Sequence, residues 1–348
     1  MNSNPYKNVR VAAVQYAVGP DVAANLNTTL RMIDSAADCQ PDLVVLPEFV
    51  NHCSWYEDGD HCARVSVTLE SDFVQAIADR AKQHGFFIVV NCSVLTEDKV
   101  CTGTSLLIDP ERGVISTADK QVLIGHENDF LQRAQTPSPI AETSIGRIGL
   151  YACMDGVLNE TPRGLALRGA QILCNSLNSF AFDEASLHIP VRAAENKVFV
   201  VAANKVGPLI PEFLVEPVSE QIQIPGHFLS GAGESQIVAP DGTVLAKAPI
   251  VGEAVIYADI DPRDANDKLR PDGTDIFQAR RPELYGPIGE APQPVERDAG
   301  PAEISAAIFQ PKGINGAAID ESLSAINAAA EQGCQLLTLP ELFWLEGS

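Results

Sequence analysis

The sequence YACMDGVLNETPRGLALRGAQIL, residues 151–173, decides the fold class of this chain. It continues a run of apolar β-formers that stops at Cys153. A helical pattern from Glu160 to Arg168 then leads into a second apolar run, QILCN, at residues 171–175. A short apolar run that ends at a reactive side chain is how an α/β sheet presents chemistry at its strand ends. The stretch therefore predicts an α/β protein with Cys153 at the end of a strand.

Two further polar residues stand at the ends of apolar runs, Glu48 after LVVLP and Lys120 after GVISTAD. A nucleophilic thiol needs a base to take its proton or a cation to lower its pKa. A lysine also stabilises the oxyanion that forms when a carbonyl or nitrile carbon is attacked. Taken alone, each residue is better explained as one without a catalytic role, since free cysteines, for example, are commonly buried. Together, Glu48, Lys120 and Cys153 make a candidate hydrolase set.

Strand and helix patterns alternate along the rest of the chain. We predict strands at Val9–Gln15, around LVVLP and at FFIVVN, and helices at Asn25–Ala37 and Ser71–His84. Two stretches, DPERG at 109–113 and APDG at 239–242, read as hairpin turns between apolar arms. Strands that alternate with helices and hairpins predict mixed sheets with helices outside them.

The proline-rich stretch from Pro208 to Phe228 has few periodic features. We therefore predict a long surface loop there, which could act as a lid over a site.

Four stretches together resemble the nitrilase superfamily of carbon–nitrogen hydrolases, over roughly Val9 to Asp261. They are PDLVVLPEF (41–49), the stretch at 151–173, RAAENKVFVVAAN (192–204) and GESQIVAPDGTVLA (233–246). The resemblance implies a catalytic Glu-Lys-Cys triad in that chain order, no cofactor, an α-β-β-α sandwich and assembly as dimers or larger homo-oligomers.

The cysteine motif of that superfamily has matches at five positions of this chain, which are Cys153, Asp155, Glu160, Gly169 and Ala170. A second glutamate often follows the lysine in this superfamily, and Glu127 lies seven residues after Lys120. The resemblance thus adds Glu127 to the candidate catalytic residues.

Composition excludes several classes of function. The chain has 348 residues, of which 24 are basic and 46 acidic, for a net charge of −22. Such a charge repels nucleic acid phosphates and anionic membranes. The longest apolar run, around FFIVVNCSVL, is too short to span a bilayer, and no apolar stretch follows the charges at the start. Eight cysteines without framework spacing suit reduced thiols, so we predict a cytoplasmic protein.

The chain contains an internal repeat. VRVAAVQYAV near the start recurs as EISAAIFQPK near the end, and PDLVVLPEFV recurs as CQLLTLPELF. The repeat aligns Glu48 with Glu341, which we expect to be inert because the second copy has no lysine or cysteine equivalent. We predict a hydrolase domain at 1–286, a Pro- and Gly-rich linker at 287–301 and a partial repeat at 302–348. A fragment of a tandem protein and a surviving partial duplication both explain the repeat, and we favour the fragment, because a lone unit of about fifty residues buries little core by itself.

Two His-Cys pairs, at 52–53 and 61–62, have the composition of a zinc site. Adjacent ligands point in different directions, so we predict no metal and place this segment at the mouth of the pocket. Our candidate substrate-binding residues are Trp55, Tyr56, Met154, Asn178 and Phe180.

These observations predict a cysteine hydrolase that cleaves a small amide without a cofactor. Two enzyme alternatives stay open, a nitrilase and an N-carbamoyl amidohydrolase, although Met154 stands where the resemblance leads us to expect tryptophan in a nitrilase. A catalytically silent binding or assembly module is the alternative from another class. The predicted partners are a small-molecule amide or nitrile and further copies of the chain, not nucleic acid or membrane.

Overall fold

The structure is a computed structural model that describes residues 8–292 and 303–341. The chain divides after Arg280 into two compact units, which we describe separately. The predicted boundaries at 286 and 302 stay predictions, since residues 293–302 of the linker region lie outside the described residues.

The strands of the described residues are, in chain order, β1 (Val9–Gln15), β2 (Leu43–Val45), β3 (Phe87–Leu95), β4 (Cys101–Asp109), β5 (Gly113–Asp119), β6 (Ile140–Thr143), β7 (Gly146–Ala152), β8 (Ile172–Ser176), β9 (Phe199–Ala203), β10 (Val206–Pro208), β11 (Ser230–Ala232), β12 (Gln236–Val238), β13 (Val244–Lys247), β14 (Ala254–Ile260), β15 (Ala306–Ile308) and β16 (Leu336–Thr338). Their helices are α1 (Val22–Ala37), α2 (Gly59–Val65), α3 (Asp72–His84), α4 (Glu127–Phe130), α5 (Met154–Val157), α6 (Glu160–Leu167), α7 (Ile189–Asn196), α8 (Glu212–Ile222) and α9 (Asn315–Glu331).

The first sheet has the strand order β14-β1-β2-β3-β4-β5. Its strands β1, β2 and β3 run parallel. Helix α1 follows β1, and helix α3 precedes β3. Capping side chains start both helices, because Asp21 accepts hydrogen bonds from Ala23 and Ala24 of α1 and Ser71 accepts one from Val74 of α3. The predicted hairpin joins β4 to β5, and Gly113 takes the positive φ of 73° that its turn requires.

The second sheet has the order β13-β12-β9-β8-β7-β6, with β7, β8 and β9 parallel. The predicted APDG hairpin joins β12 to β13. One continuous apolar cluster fills the space between the sheets and extends onto α6 and α7 through Leu165, Ala166, Ile189 and Ala193. A second cluster packs α1 and α3 against the outer face of the first sheet. The predicted α-β-β-α sandwich is therefore confirmed.

The stretch from Pro208 to Phe228 differs from the loop that we predicted. Residues Glu212–Ile222 form helix α8, which contains Pro217 and buries none of its side chains fully. Proline inside a helix removes one backbone hydrogen bond, so the sequence favoured irregular structure. The helix forms nonetheless and places its apolar side chains beside the cavity described below.

The second unit contains a parallel two-stranded sheet, β15-β16, joined by helix α9. Its register aligns Ala306 with Leu336, and the first unit aligns Val11 with Leu43. These are equivalent pairs in the sequence repeat when Gln15 is aligned with Gln310 and Glu48 with Glu341. The second unit thus has the same strand order and register as the start of the first.

Among the residues that the structure describes, no helix combines the length and the apolar character that a bilayer crossing requires.

Candidate active site

The two sheets meet where β2 and β8 end. The Ser176 hydroxyl, at the end of β8, donates a 2.8 Å hydrogen bond to the carbonyl of Leu46, and the Glu48 amide donates to the carbonyl of Leu177 at 3.1 Å. The Cys153 amide, one residue after β7, donates to the Ser176 carbonyl at 3.0 Å. Glu48 and Cys153 therefore lie at one shared edge of the sandwich, although they come from different sheets.

Lys120 follows β5 and carries its ammonium into the same region. Its Nζ lies 2.8 Å from Glu48 Oε1 and donates to Glu127 Oε1 and Oε2 at 2.9 and 2.8 Å. Neither Glu48 oxygen accepts a well-aligned hydrogen bond from the described residues. Glu127 is also held by the Ile124 amide at 3.1 Å. A lysine is thus fixed between two carboxylates, and Glu48 keeps lone pairs for a proton.

Burial and charge set the protonation of this group. Glu48 is fully buried, and burial raises its pKa to about 7 against the opposing attraction of Lys120. For Lys120, burial alone would lower the pKa, but the charges of Glu48 and Glu127 raise it above its ordinary value. Lys120 is therefore a permanent cation, while Glu48 exchanges a proton near neutral pH.

Cys153 sits on a strained turn between β7 and α5. Its φ of 48° and ψ of −110° lie in a region that residues other than glycine rarely adopt. The Cys153 amide bonds both the Ser176 carbonyl and Asn175 Oδ1, at 3.0 Å, and so holds this conformation. Burial, and then the charge of Glu48, raises the pKa of the thiol well above its ordinary value. An uncharged thiol here needs a base before it can attack.

Asp155 ties the cysteine turn to the lysine segment. Its Oδ1 accepts hydrogen bonds from the backbone amides of Gln121 and Val122 at 3.1 and 2.8 Å. Those amides follow Lys120 directly, so one carboxylate sets the position of Lys120 relative to Cys153. Burial raises the pKa of Asp155 to about 6.

Two buried charged residues of this region were missed at the sequence level. Lys205, two residues after β9, is fully buried, and its Nζ, 6.0 Å from the centroid of the Phe49 ring, has no hydrogen-bond partner among the described residues. Burial lowers the pKa of Lys205 to about 8. Glu184 begins a π-helical turn before α7, and burial raises its pKa to about 7. Lys205 could have been identified from the sequence, because it comes two residues after the parallel strand β9.

A cavity of about 470 Å³ opens beside Glu127. Three of the predicted substrate-binding residues line it, namely Trp55, Asn178 and Phe180. Tyr56 does not, because it is 1% exposed and packs with Phe49 in a separate apolar cluster. Met154 is not among the lining residues either.

The histidines of the two His-Cys pairs contact each other edge-on, with ring centroids 5.4 Å apart, and each also contacts a backbone group. His52 Nδ1 lies 2.6 Å from the carbonyl of Cys53, and His61 Nδ1 accepts a hydrogen bond from the Glu57 amide. In residues 8–292 and 303–341, no three His, Cys, Asp or Glu side chains are grouped as metal ligands.

Known proteins are similar to this chain in sequence and in fold. A nitrilase from Pyrococcus abyssi is 28% identical over 281 residues, which cover 80% of this chain and 99% of that protein. An N-carbamoylputrescine amidase from Solanum tuberosum is 25% identical, over 80% of this chain and 93% of its own.

The solved structure of an amidase from Nesterenkonia sp. superposes with a TM-score of 0.65 at 22% identity, covering 80% of this chain and 95% of that one. A mutant of the Nesterenkonia sp. AN1 amidase with butyramide bound superposes equally well, with a TM-score of 0.65 at 21% identity. That structure covers 82% of this chain and 98% of its own. The carbon-nitrogen hydrolase family model matches residues 10–267, which is most of this chain and nearly all of its first unit. The chain therefore belongs to the carbon–nitrogen hydrolase family, within the nitrilase superfamily.

Proposed function

We propose that this chain hydrolyses the carbon–nitrogen bond of a small amide through a thioester on Cys153. One observation carries the proposal. The buried ammonium of Lys120 is held 2.8 Å from Glu48 Oε1, at the sheet edge where Cys153 also lies. An acid whose pKa lies near the working pH is an effective general base. A fixed, buried cation is suited to stabilise a developing oxyanion.

The reaction begins as Glu48 takes the thiol proton and the Cys153 sulfur attacks the amide carbonyl. Lys120 and the backbone amide of Met154 stabilise the resulting oxyanion. When the tetrahedral intermediate collapses, the carbon–nitrogen bond breaks, and the departing nitrogen takes the proton from Glu48. A thioester remains on Cys153. Glu48 then removes a proton from a water molecule, which attacks the thioester and releases the acid and the free thiol.

Glu127 and Asp155 have supporting roles in this scheme. Glu127 uses both oxygens to hold Lys120 at 2.8 and 2.9 Å, which leaves Glu48 free to exchange a proton. Asp155 fixes the backbone that follows Lys120. Both are buried carboxylates whose loss would leave their partners unsatisfied.

An amide is favoured over a nitrile or a carbamoyl compound. Met154 stands where the nitrilase resemblance leads us to expect tryptophan. A neighbour of the same fold, the Nesterenkonia amidase, binds butyramide. The nitrilase and N-carbamoylputrescine amidase relatives keep the other two substrate classes open as second candidates.

Ammonia release separates these candidates. The purified protein is incubated with simple amides, nitriles and N-carbamoyl amines, and an amidase releases ammonia from the amides fastest. Intact mass measured during turnover is expected to show an acyl group on wild-type protein and none on Cys153→Ala. If the folded protein releases ammonia from none of the three classes, it is a silent binding module and the proposal is wrong.

A further inference from the structure

The 470 Å³ cavity beside Glu127 has an apolar wall. Nine of its fifteen lining residues are large and apolar, and the wall is built from four parts of the chain, 54–55, 124–127, 178–180 and 209–229. Trp55 stacks on His126 with ring centroids 4.8 Å apart, and Phe180 meets Phe228 edge-on at 6.3 Å. Val218 and Ile222 add the face of α8, four residues apart and therefore on one side of the helix.

This apolar surface is incompletely covered. Phe180 is 40% exposed and Ile222 is 45% exposed, and α8 has no fully buried side chain. Apolar surface in contact with water is unfavourable in proportion to its area. An apolar group that enters the cavity would remove that surface from water.

The cavity offers no partner for a charged ligand. Among its lining residues, Glu127 is the one carboxylate, and both of its oxygens accept from Lys120. The lining contains no lysine or arginine. His126 is engaged through Nε2 with the carbonyl of Tyr56 at 2.9 Å. A charged group would therefore lose its hydration without gaining an ion pair, which is strongly unfavourable.

One polar atom in the wall lacks a partner. Asn178 Oδ1 is buried and accepts no hydrogen bond from the described residues. It can accept from an N–H donor on a ligand. The cavity thus combines an acceptor with an apolar wall large enough for a ligand of many heavy atoms.

We propose that the cavity selects amides that carry an uncharged, apolar substituent, an alkyl chain of several carbons or an aromatic ring, with the amide N–H directed to Asn178. This inference rests on the proposed amidase function and adds its substrate class. Val218 and Ile222 of α8 are the residues that determine the preference.

The test is a series of primary amides of increasing chain length, together with two charged amides that match hexanamide in length. From acetamide through butyramide to hexanamide, kcat/KM is expected to rise about fourfold per methylene, the gain that burial of one CH₂ provides. Glutaramate and 5-aminopentanamide, which end in a negative and a positive charge, are expected to fall at least about 100-fold below hexanamide. A flat series, or a charged amide as good as hexanamide, would overturn the proposal.

Matched variants assign the preference to the cavity. Ile222→Asp is expected to reduce the hexanamide-to-acetamide ratio of kcat/KM by about tenfold or more. Phe213→Asp lies on the same helix, 76% exposed and outside the cavity, and is expected to leave the ratio unchanged. If Ile222→Asp changes the assembly measured by gel filtration but not the ratio, this face contacts a second copy and the substrate proposal is wrong.

A binding measurement separates this proposal from the proposed function. Phenylacetamide and 5-aminopentanamide are titrated into Cys153→Ala protein by calorimetry. Preferential binding of phenylacetamide without any turnover in the wild type would disprove the amidase function and retain the apolar cavity. Turnover of small amides without that binding preference would do the reverse.

Discussion

The chain builds the same strand-helix-strand unit twice, with very different surroundings. Val11 pairs with Leu43 in the first copy and Ala306 with Leu336 in the second, in parallel register both times. In the first copy, β14 flanks β1 and β3 flanks β2, whereas β15 and β16 form a sheet of two strands. Leu43 is fully buried and Leu336 is 53% exposed.

The difference shows what the surroundings of this motif do to its glutamate. Glu48 and Glu341 both follow a Leu-Pro pair after a parallel strand, but Glu48 is fully buried and Glu341 is exposed. Burial raises the pKa of Glu48 to about 7, and in the first unit the Lys120 ammonium lies 2.8 Å from Glu48 Oε1. The local motif positions the carboxylate, and the surrounding sandwich gives it its chemistry.

The largest effect is expected at the nucleophile. Cys153→Ala should reduce the rate of ammonia release by about 10⁶-fold, the scale for loss of a catalytic nucleophile. Cys174→Ala is the control, because Cys174 is fully buried inside β8, paired with Leu150 of β7 and Val201 of β9. It should lose stability but keep turnover. Activity in a Cys153→Ala protein with a native circular dichroism spectrum would exclude the thioester mechanism.

The two glutamates of the repeat are compared directly by mutation. Glu48→Gln and Lys120→Ala should each lower kcat by about two to three orders of magnitude, the scale for loss of a positioned base or an oxyanion donor. Glu341→Gln should leave kcat unchanged, because Glu341 is exposed, whereas Glu48 is fully buried beside Lys120. A near-normal kcat in Lys120→Ala would show that another group stabilises the oxyanion.

A Lys205 variant tests whether this buried cation lowers the pKa of Glu48. Its positive charge helps to hold down the pKa of Glu48, so Lys205→Met should raise that pKa. The base form of Glu48 would then appear at higher pH, and the acidic limb of kcat/KM should move upwards. At a fixed low pH, kcat/KM should fall about tenfold for every pH unit that the limb moves. A uniform loss at every pH would indicate a structural role, and Lys247→Met on the surface is the control.

The smallest effect is expected from removal of the second copy. Truncation of residues 302–348 should leave kcat unchanged, because every candidate catalytic residue lies in the first unit. Ile308, 88% exposed, and Leu336 are apolar surface that the truncation removes, so assembly measured by light scattering is expected to change. Loss of activity in a folded truncated protein of unchanged assembly would show that the segment contributes to the site.

Much of the sandwich was predictable because its signals are local. β1 occupies the predicted residues 9–15, and the two hairpins form at the predicted turns, where Gly113 and Gly242 adopt positive φ. Helix α3 begins after its Ser71 cap, within one residue of the prediction. Periodicity and turn chemistry act over a few residues, so the sequence displays them directly.

The missed features depend on contacts between distant segments. Lys205 was not identified from the sequence because lysines are almost never fully buried, and its burial results from packing around Phe49. Helix α8 was predicted as part of a loop because the stretch is rich in proline and has few periodic features, yet the apolar face of the helix lies along the cavity. Tyr56 was predicted at the cavity with its neighbour Trp55, but the backbone turns its ring into a separate cluster. None of these placements follows from spacing alone.

Because Cys153 has a positive φ, the residue that would be most stable at this position differs from the one that the proposed reaction needs. A side chain held at φ 48° carries backbone strain on the order of 1 kcal/mol, which glycine would not. Cys153→Gly should therefore relieve that strain, although the loss of the buried thiol's contacts offsets part of the gain. A directed-evolution screen that ranks variants by melting temperature alone would therefore select inactive substitutions at this residue. Engineering of this enzyme for heat resistance therefore needs selection on turnover as well.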